Sequence, residues 1–380
     1  MKKTLLATID FPPQFGGVAN YWANLIRFLD KERIVVLAPE YDNSLDFDIE
    51  QNYLVYRQNL ISKKTWLWPK WLPLILEMYR VVRSEKIQKI IVTQVLPVGT
   101  AAYLIKRILG VPYVVSLHGL ELALSKQDTW KRWLVKKTLQ SADHLIVNSE
   151  FTRTLLINFD ERVLNKTIVV YPCPNVNFEF RDDEKVKAFL EKNNLVNKKI
   201  ILTIGRLIER KGQDMVIDAM LKILEKVPDA VYLIVGQGER LNFLREKVKA
   251  LDLTEQVKFF TDTLDSELPM FYQLAKLFIM PCRQLDNGDV EGFGIVFLEA
   301  NVYNKAVVAG RSGGAIEAVE HEVNGLLVDP KSVDEIEQAV VSLLQNEDRA
   351  NELGEAGRRR VEEKFNWEMQ AKKLNQILSE

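Results

Sequence analysis

Short unbroken apolar runs alternate along this chain with longer stretches in which apolar residues recur at helical spacing. Lys3 to Ile9 reads as a buried strand, DFPPQFGG breaks it, and VANYWANLIRFL resumes with helical periodicity. The pattern predicts further strands at Arg33 to Ala38, Lys89 to Val95, Tyr113 to Leu117, His144 to Val147 and Thr167 to Tyr171, with helices at Val98 to Leu109 and after Ser149. It restarts at Lys199 to Ile204 and continues with strands at Val231 to Val235, Val257 to Phe260, Leu277 to Met280 and Ala306 to Ala309. From Ser332 onward helical patterns dominate, closing on a terminal helix at about Phe365 to Leu378. Repeated strand and helix units predict an α/β fold, its parallel sheets covered on both faces and its ligands bound beyond the carboxyl ends of the strands.

The periodicity fails once, in PCPNVNFEFRDDEKVKAFLEKNN, where prolines, asparagines and charges cluster. With 380 residues to accommodate, this predicts two domains, 1–175 and 198–364, joined by a linker at 176–197. Net charge is −1, yet the segment before Asn175 carries 23 Lys and Arg against 16 Asp and Glu, so a basic first half balances an acidic second. That asymmetry suggests an anionic partner for the first half. No nucleic-acid motif accompanies the charge, so no nucleic-acid partner is expected. Two stretches that mix tryptophan with cations, KKTWLWPKWLPLILEMYRVVR from Lys63 and KQDTWKRWLVKKTLQ from Lys126, make an anionic membrane surface a candidate partner. Helices that bury Trp66, Trp71, Trp130 or Trp133 and present a solvated basic face fit the same residues.

No apolar run reaches the roughly 18 residues of a membrane span, so a cytoplasmic protein, at most peripheral on the membrane, is expected. Cys173 and Cys282 lie far apart without a metal-ligand spacing, so no metal site or disulfide is expected.

The chemistry concentrates in residues 281 to 329. Glu291 stands before Gly292, Phe293 and Gly294, and an apolar run from Ile295 leads to Glu299. A glycine-lined helix start offers N–H groups to phosphate, and carboxylates accept hydrogen bonds from sugar hydroxyls. The bland alternative is an ordinary turn with acids favouring the helix dipole. A second turn at Gly313 and Gly314, compatible with phosphate, shifts the balance towards a ligand site. Further candidates are Gly205, Arg206 and Lys211 at a strand end, Gly16 and Gly17 at the first helix start, and His118 with Gly119 after a strand. GQGER does not complete a dinucleotide fingerprint, because Leu241 occupies the third glycine position. The run Asp286 to Asp289 reads as a polar loop.

In order, GGV, HG, NSEFTR, GRLIERKGQD, VGQGE, EGFGIVFLEA and GGAIEAVEHEVNGLLV resemble the retaining glycosyltransferases of family four, and the resemblance spans nearly the whole chain. The specific part is EGFGIVFLEA, which fits the family's E-x7-E signature through Glu291 and Glu299. The resemblance implies a GT-B fold, two Rossmann-like domains facing an interdomain cleft, with the terminal helix at about 365–380 returning to the first domain. It implies a nucleoside diphosphate sugar, UDP- or GDP-linked, as donor, with no metal or other cofactor. Transfer of a hexosyl group to an acceptor hydroxyl, on a lipid or a growing polysaccharide, would proceed with retention. Arg206 and Lys211 would then hold the diphosphate, Glu299 the ribose and Glu291 the transferred sugar; Gly16, Gly17, Gly205, Gly292, Phe293, Gly294 and Ile295 would line the donor, and His118 would reach the sugar. YPCPNVNFEF departs from the family's NGVD-like stretch, which leaves the acceptor side undefined. Two alternatives remain open: a nucleotide-sugar epimerase, and a catalytically silent nucleotide-sugar-binding protein.

Overall fold

A computed structural model describes residues 1–14, 16–64, 68–119, 129–174 and 182–380. The chain divides into two compact units, Met1–Pro172 with Asn366–Glu380, and Cys173–Phe365.

The first unit is built on a seven-stranded sheet with β1 (Thr4–Ala7), β2 (Ile34–Pro39), β3 (Leu54–Gln58), β4 (Lys89–Val92), β5 (Tyr113–Leu117), β6 (His144–Val147) and β7 (Thr167–Val169). Its order is β3-β2-β1-β4-β5-β6-β7, and every pairing is parallel. Central strands read as continuous apolar runs because both faces are covered: Leu5, Leu6, Ile90, Ile91, Val114 and Val115 are all fully buried. The helix Trp367–Ser379 belongs to this unit. Its carbonyl at Leu378 accepts from the Lys2 amide at 3.0 Å, Gln370 accepts from the Tyr171 amide at 3.0 Å, and Trp367 packs on Tyr21.

The second unit carries β8 (Lys199–Ile204), β9 (Ala230–Val235), β10 (Val257–Phe260), β11 (Leu277–Met280), β12 (Ala306–Gly310) and β13 (Gly325–Val328). They form a six-stranded parallel sheet in the order β10-β9-β8-β11-β12-β13. In both sheets the strand order reverses beside the first strand of the unit, between β1 and β4 and between β8 and β11. In open α/β sheets ligands bind outside the carboxyl ends of the strands at such a reversal.

The structure departs from the expected linker. Residues 182–197 contain the helix Asp183–Lys192, which counts with the second unit, while the remainder of the stretch, 175–181, lies outside the described residues. The Asp182 side chain caps the helix by accepting from the Lys185 amide at 2.9 Å, and Phe189 packs on Phe260 and Phe271, each at 5.3 Å between ring centroids. Charges on the outer face masked an apolar seam that docks like any surface helix. Strands β3 and β13 also went unread, since β3 is a partly exposed edge strand and β13 a short one that opens with glycine.

Candidate active site

In the second unit, four loops that follow β8, β9, β11 and β12 interlock through glycines. Gly212, at φ +75°, caps the helix Gln213–Lys226, and a Cβ there would sit 2.2 Å from the Pro281 carbonyl oxygen. A Cβ on Gly236 would meet the Gly205 oxygen at 2.3 Å, and one on Gly238 the Leu207 oxygen at 2.4 Å. The glycines of GQGER thus serve close contact between two loops, which explains a glycine pair without a dinucleotide fingerprint.

EGFG is seated in the same way. Gly294, at φ +91°, opens the helix Ile295–Val302, whose start has no side-chain cap. The Gly314 amide donates to the Glu291 carbonyl at 2.8 Å, and a Cβ on Gly314 would lie 2.0 Å from the Gly292 oxygen. The Gly313 and Gly314 turn, read from sequence as a second phosphate turn, is therefore a bed for the first, with its Gly314 amide already engaged.

On this scaffold Glu291 meets two cations. Its Oε2 accepts from Lys211 Nζ at 2.6 Å and from Arg210 Nη1 at 2.5 Å, and Asp289 lies 3.3 Å from Arg210 Nε. Arg210 and Lys211 are each buried, in the short turn Glu209–Lys211. Burial opposes ionisation of Glu291, but Lys211 and Arg210 outweigh it and hold its carboxyl down at about 2. The carboxylate is thus fully ionised at neutral pH.

Glu299 occupies the second turn of its helix, half-buried, and its Oε2 accepts from the Tyr272 hydroxyl at 2.7 Å. Burial raises its pKa, while the Tyr272 hydrogen bond and the field of Lys211 pull the other way. Arg206 is exposed, and its carbonyl accepts from Gln213 Nε2 at 3.2 Å and from the Ile208 amide at 3.1 Å. The cation that joins Lys211 on Glu291 is thus Arg210, which sequence reasoning passed over. Its signal was faint, one charge among three in ERK.

In the first unit the candidates sit at the ends of β1, β4 and β5. Gly16 is extended at φ −179°, and Gly17 begins the helix Gly17–Ile26 with open space where a Cβ would be. Asp10, unremarked in the sequence, lies beside Gly16, and burial raises its pKa. Thr93 Oγ1 donates to buried Thr8 at 2.7 Å or to Gln94 Oε1 at 2.6 Å. His118 follows β5, with Nε2 3.2 Å from Ser116 Oγ and the Tyr21 ring edge-on at 5.6 Å. Burial pushes the imidazole down to about 4 against a backbone hydrogen bond involving Thr93, so His118 is neutral at physiological pH. Of the remaining tryptophans, Trp130 and Trp133 stack at 5.0 Å on the helix Thr129–Ser141 and are largely exposed. Trp66 lies outside the described residues.

Two parallel sheets, each reversing order beside its first strand, with paired carboxylates and cations at a strand end, agree with the two Rossmann-like domains of the GT-B architecture that the sequence resemblance implies. Comparison with known proteins bears this out. The family model "Glycosyl transferases group 1" matches residues 185–360, and "Glycosyltransferase Family 4" matches 15–177. A GDP-mannose-dependent alpha-(1-6)-phosphatidylinositol monomannoside mannosyltransferase of Mycobacterium tuberculosis is 33% identical over 386 residues, covering 100% of this chain and 98% of that protein. A GDP-mannose-dependent monoacylated alpha-(1-6)-phosphatidylinositol monomannoside mannosyltransferase of Corynebacterium glutamicum is 30% identical, with 99% and 98% covered. Among solved structures, Anabaena HepE in complex with UDP superposes with a TM-score of 0.83 at 19% identity over 99% of both chains, a likeness of fold. The chain belongs to the family-four glycosyltransferases.

Proposed function

We propose that this enzyme transfers mannose from GDP-mannose to a hydroxyl of an inositol-containing glycolipid, with retention at the anomeric carbon. The observation that carries the reading is end-to-end identity of 33% to a mannosyltransferase of that description, coupled with an ionised Glu291 clamped by two buried cations. The donor's C1–O bond to phosphate breaks, a bond from the acceptor oxygen to C1 forms, and the acceptor's proton passes to the departing phosphate.

Arg206 and Lys211 stabilise the charge that grows on the diphosphate, a role worth about 3 kcal/mol per contact for oxyanion donors. Lys211 turns from Glu291 towards phosphate as donor arrives, and Arg210 keeps the carboxylate placed for the sugar's hydroxyls. Glu299 takes the ribose. The uncapped helix start at Ile295 adds N–H groups to the anion. With charge supplied this way, the reaction proceeds without a metal. In the first unit, neutral His118 serves the sugar by hydrogen bonding, and Gly16 and Gly17 leave space for the donor.

The basic first half and the exposed Trp130 and Trp133, beside Lys131, Arg132, Lys136 and Lys137, suit a peripheral contact with anionic lipid that brings the enzyme to its acceptor. Among the described residues no helix is long and apolar enough to cross a membrane.

The test pairs donor and acceptor. GDP-mannose, other GDP-sugars and UDP-sugars are screened by thermal shift, then for transfer to phosphatidylinositol mannosides in anionic vesicles. GDP-mannose is expected to give the largest stabilisation and a mannosylated lipid. Stabilisation by UDP-sugars alone would overturn the donor assignment.

A further inference from the structure

The donor reading gives Glu299 a task but leaves open what aims a half-buried carboxylate and offsets the effect of its burial. A carboxylate has two oxygens that exchange by rotation, and burial favours its neutral form. At Glu299 burial does raise the pKa. One oxygen, Oε2, is held by the Tyr272 hydroxyl at 2.7 Å. Tyr272 is itself fixed: it is buried in the helix Leu268–Leu274, which has proline in its first turn, and its ring stacks on Tyr303 at 5.5 Å with an interplanar angle of 8°. Phe278 of β11 lies on it at 6.0 Å. The hydroxyl titrates well above its usual range through burial and the Glu299 charge, so it donates at every physiological pH.

We propose that Tyr272 is a positioning residue for the donor nucleotide. By occupying Oε2 it favours the charged form of Glu299 against burial and holds it in one rotamer, with Oε1 left to accept from a ribose hydroxyl. A phenylalanine would fill the same volume and preserve the stacking, so the hydroxyl itself is what the nucleotide feels. The inference rests on the assignment of Glu299 to the ribose.

Calorimetric titrations of GDP and UDP, each with its 2′-deoxy and 3′-deoxy forms, test it in wild type, Tyr272→Phe and Glu299→Gln, the tighter-binding base carrying the comparison. Tyr272→Phe is expected to weaken the ribonucleotide about tenfold, the scale of one hydrogen bond to a charged group. Affinity for the deoxynucleotide that lacks the contacted hydroxyl should stay within about twofold of wild type, which also reports an intact fold. In turnover the donor KM should rise with kcat nearly unchanged. Equal weakening of all three nucleotides would mean a purely structural tyrosine and overturn the proposal, as would unchanged ribonucleotide affinity. If Glu299→Gln weakens the ribonucleotide and Tyr272→Phe does not, only the positioning role fails. If Glu299→Gln also has no effect, the ribose assignment falls, and the inference with it.

Discussion

The two units carry the same kind of sheet and put their candidate residues at equivalent strand ends, yet they prepare those ends with opposite electrostatics. In the second unit, Arg210, Lys211, Asp289 and Glu291 form a buried ionic cluster in which charge is already paired. In the first, a histidine that burial keeps neutral lies against Ser116 and the Tyr21 ring, and the hydrogen-bonded pair Thr8 and Thr93 follows the neighbouring strands β1 and β4. A diphosphate calls for cations whose desolvation is already met by the fold, whereas a neutral ligand can be held by hydrogen-bonding groups without net charge. The same architecture thus presents two chemically different strand ends, distinguished by which side chains they carry.

The sharpest break of that contrast is Lys211→Ala. Losing a cation from the diphosphate is expected to lower kcat/KM for GDP-mannose by a hundredfold or more, from about 3 kcal/mol of transition-state stabilisation. Arg210 still pairs Glu291 in the variant, so its thermal midpoint should fall little. Steady-state kinetics beside a melting curve separate the two effects. Turnover close to wild type would end the view of the second unit as the reaction's charged half.

How legible these two halves were follows from the same contrast. Glu291, Glu299 and Lys211 stood out because glycine turns and apolar runs frame them, and those frames are the turns and helix starts now observed. Arg210 did not, since ERK holds three charges in one short turn and only the fold selects which point inward. Tyr272 hid in the apolar run LPMFYQL, where a hydroxyl is indistinguishable from one more core ring. Asp10 hid beside prolines that read as a loop breaker. The glycines misled differently: Gly313 and Gly314 looked like a second phosphate turn, but the backbone of Glu291 and Gly292 fills the space above them. Strand alternation gave both sheets, while β3, β13 and the helix Asp183–Lys192 needed tertiary contacts to be seen.

A smaller effect separates the units by pH. His118 has a folded pKa of about 4 against 6.5 unperturbed, so between those values the unfolded chain binds more protons and stability falls as pH is lowered. Its contribution is complete above 6.5 and lost as pH falls through about 4. For Glu291 the window runs lower, from 4.5 down to about 2, again with stability lost on acidification. The first unit's site should therefore feel acid before the second's. His118→Asn is expected to remove on the order of 1 kcal/mol of the drop in unfolding free energy between pH 7 and pH 5, after discounting for solvent reaching a half-buried ring. Urea titrations of both proteins at the two pH values measure it. Parallel losses would mean that His118 takes up its proton as readily folded as unfolded.

The smallest expected effect asks whether the first unit's glycines resemble the second's. A methyl group on Gly314 has no room, with a backbone oxygen 2.0 Å away; one on Gly17 meets nothing within 4 Å among the described residues beyond its chain neighbours. Gly17 is the first residue of its helix and exposed, so Ala fits its backbone and reduces the entropy of the unfolded chain. Gly17→Ala is therefore expected to stabilise the protein by about 0.5 kcal/mol. If donor approaches that helix start, the same methyl group intrudes on ligand alone, and the donor KM should rise severalfold although the fold has gained stability. Opposite movement of the two quantities isolates ligand contact from packing, because nothing among the described residues opposes the new methyl. A gain in stability with an unchanged KM would instead leave Gly17 as a turn residue, and the donor would owe its recognition to the second unit's charged loops.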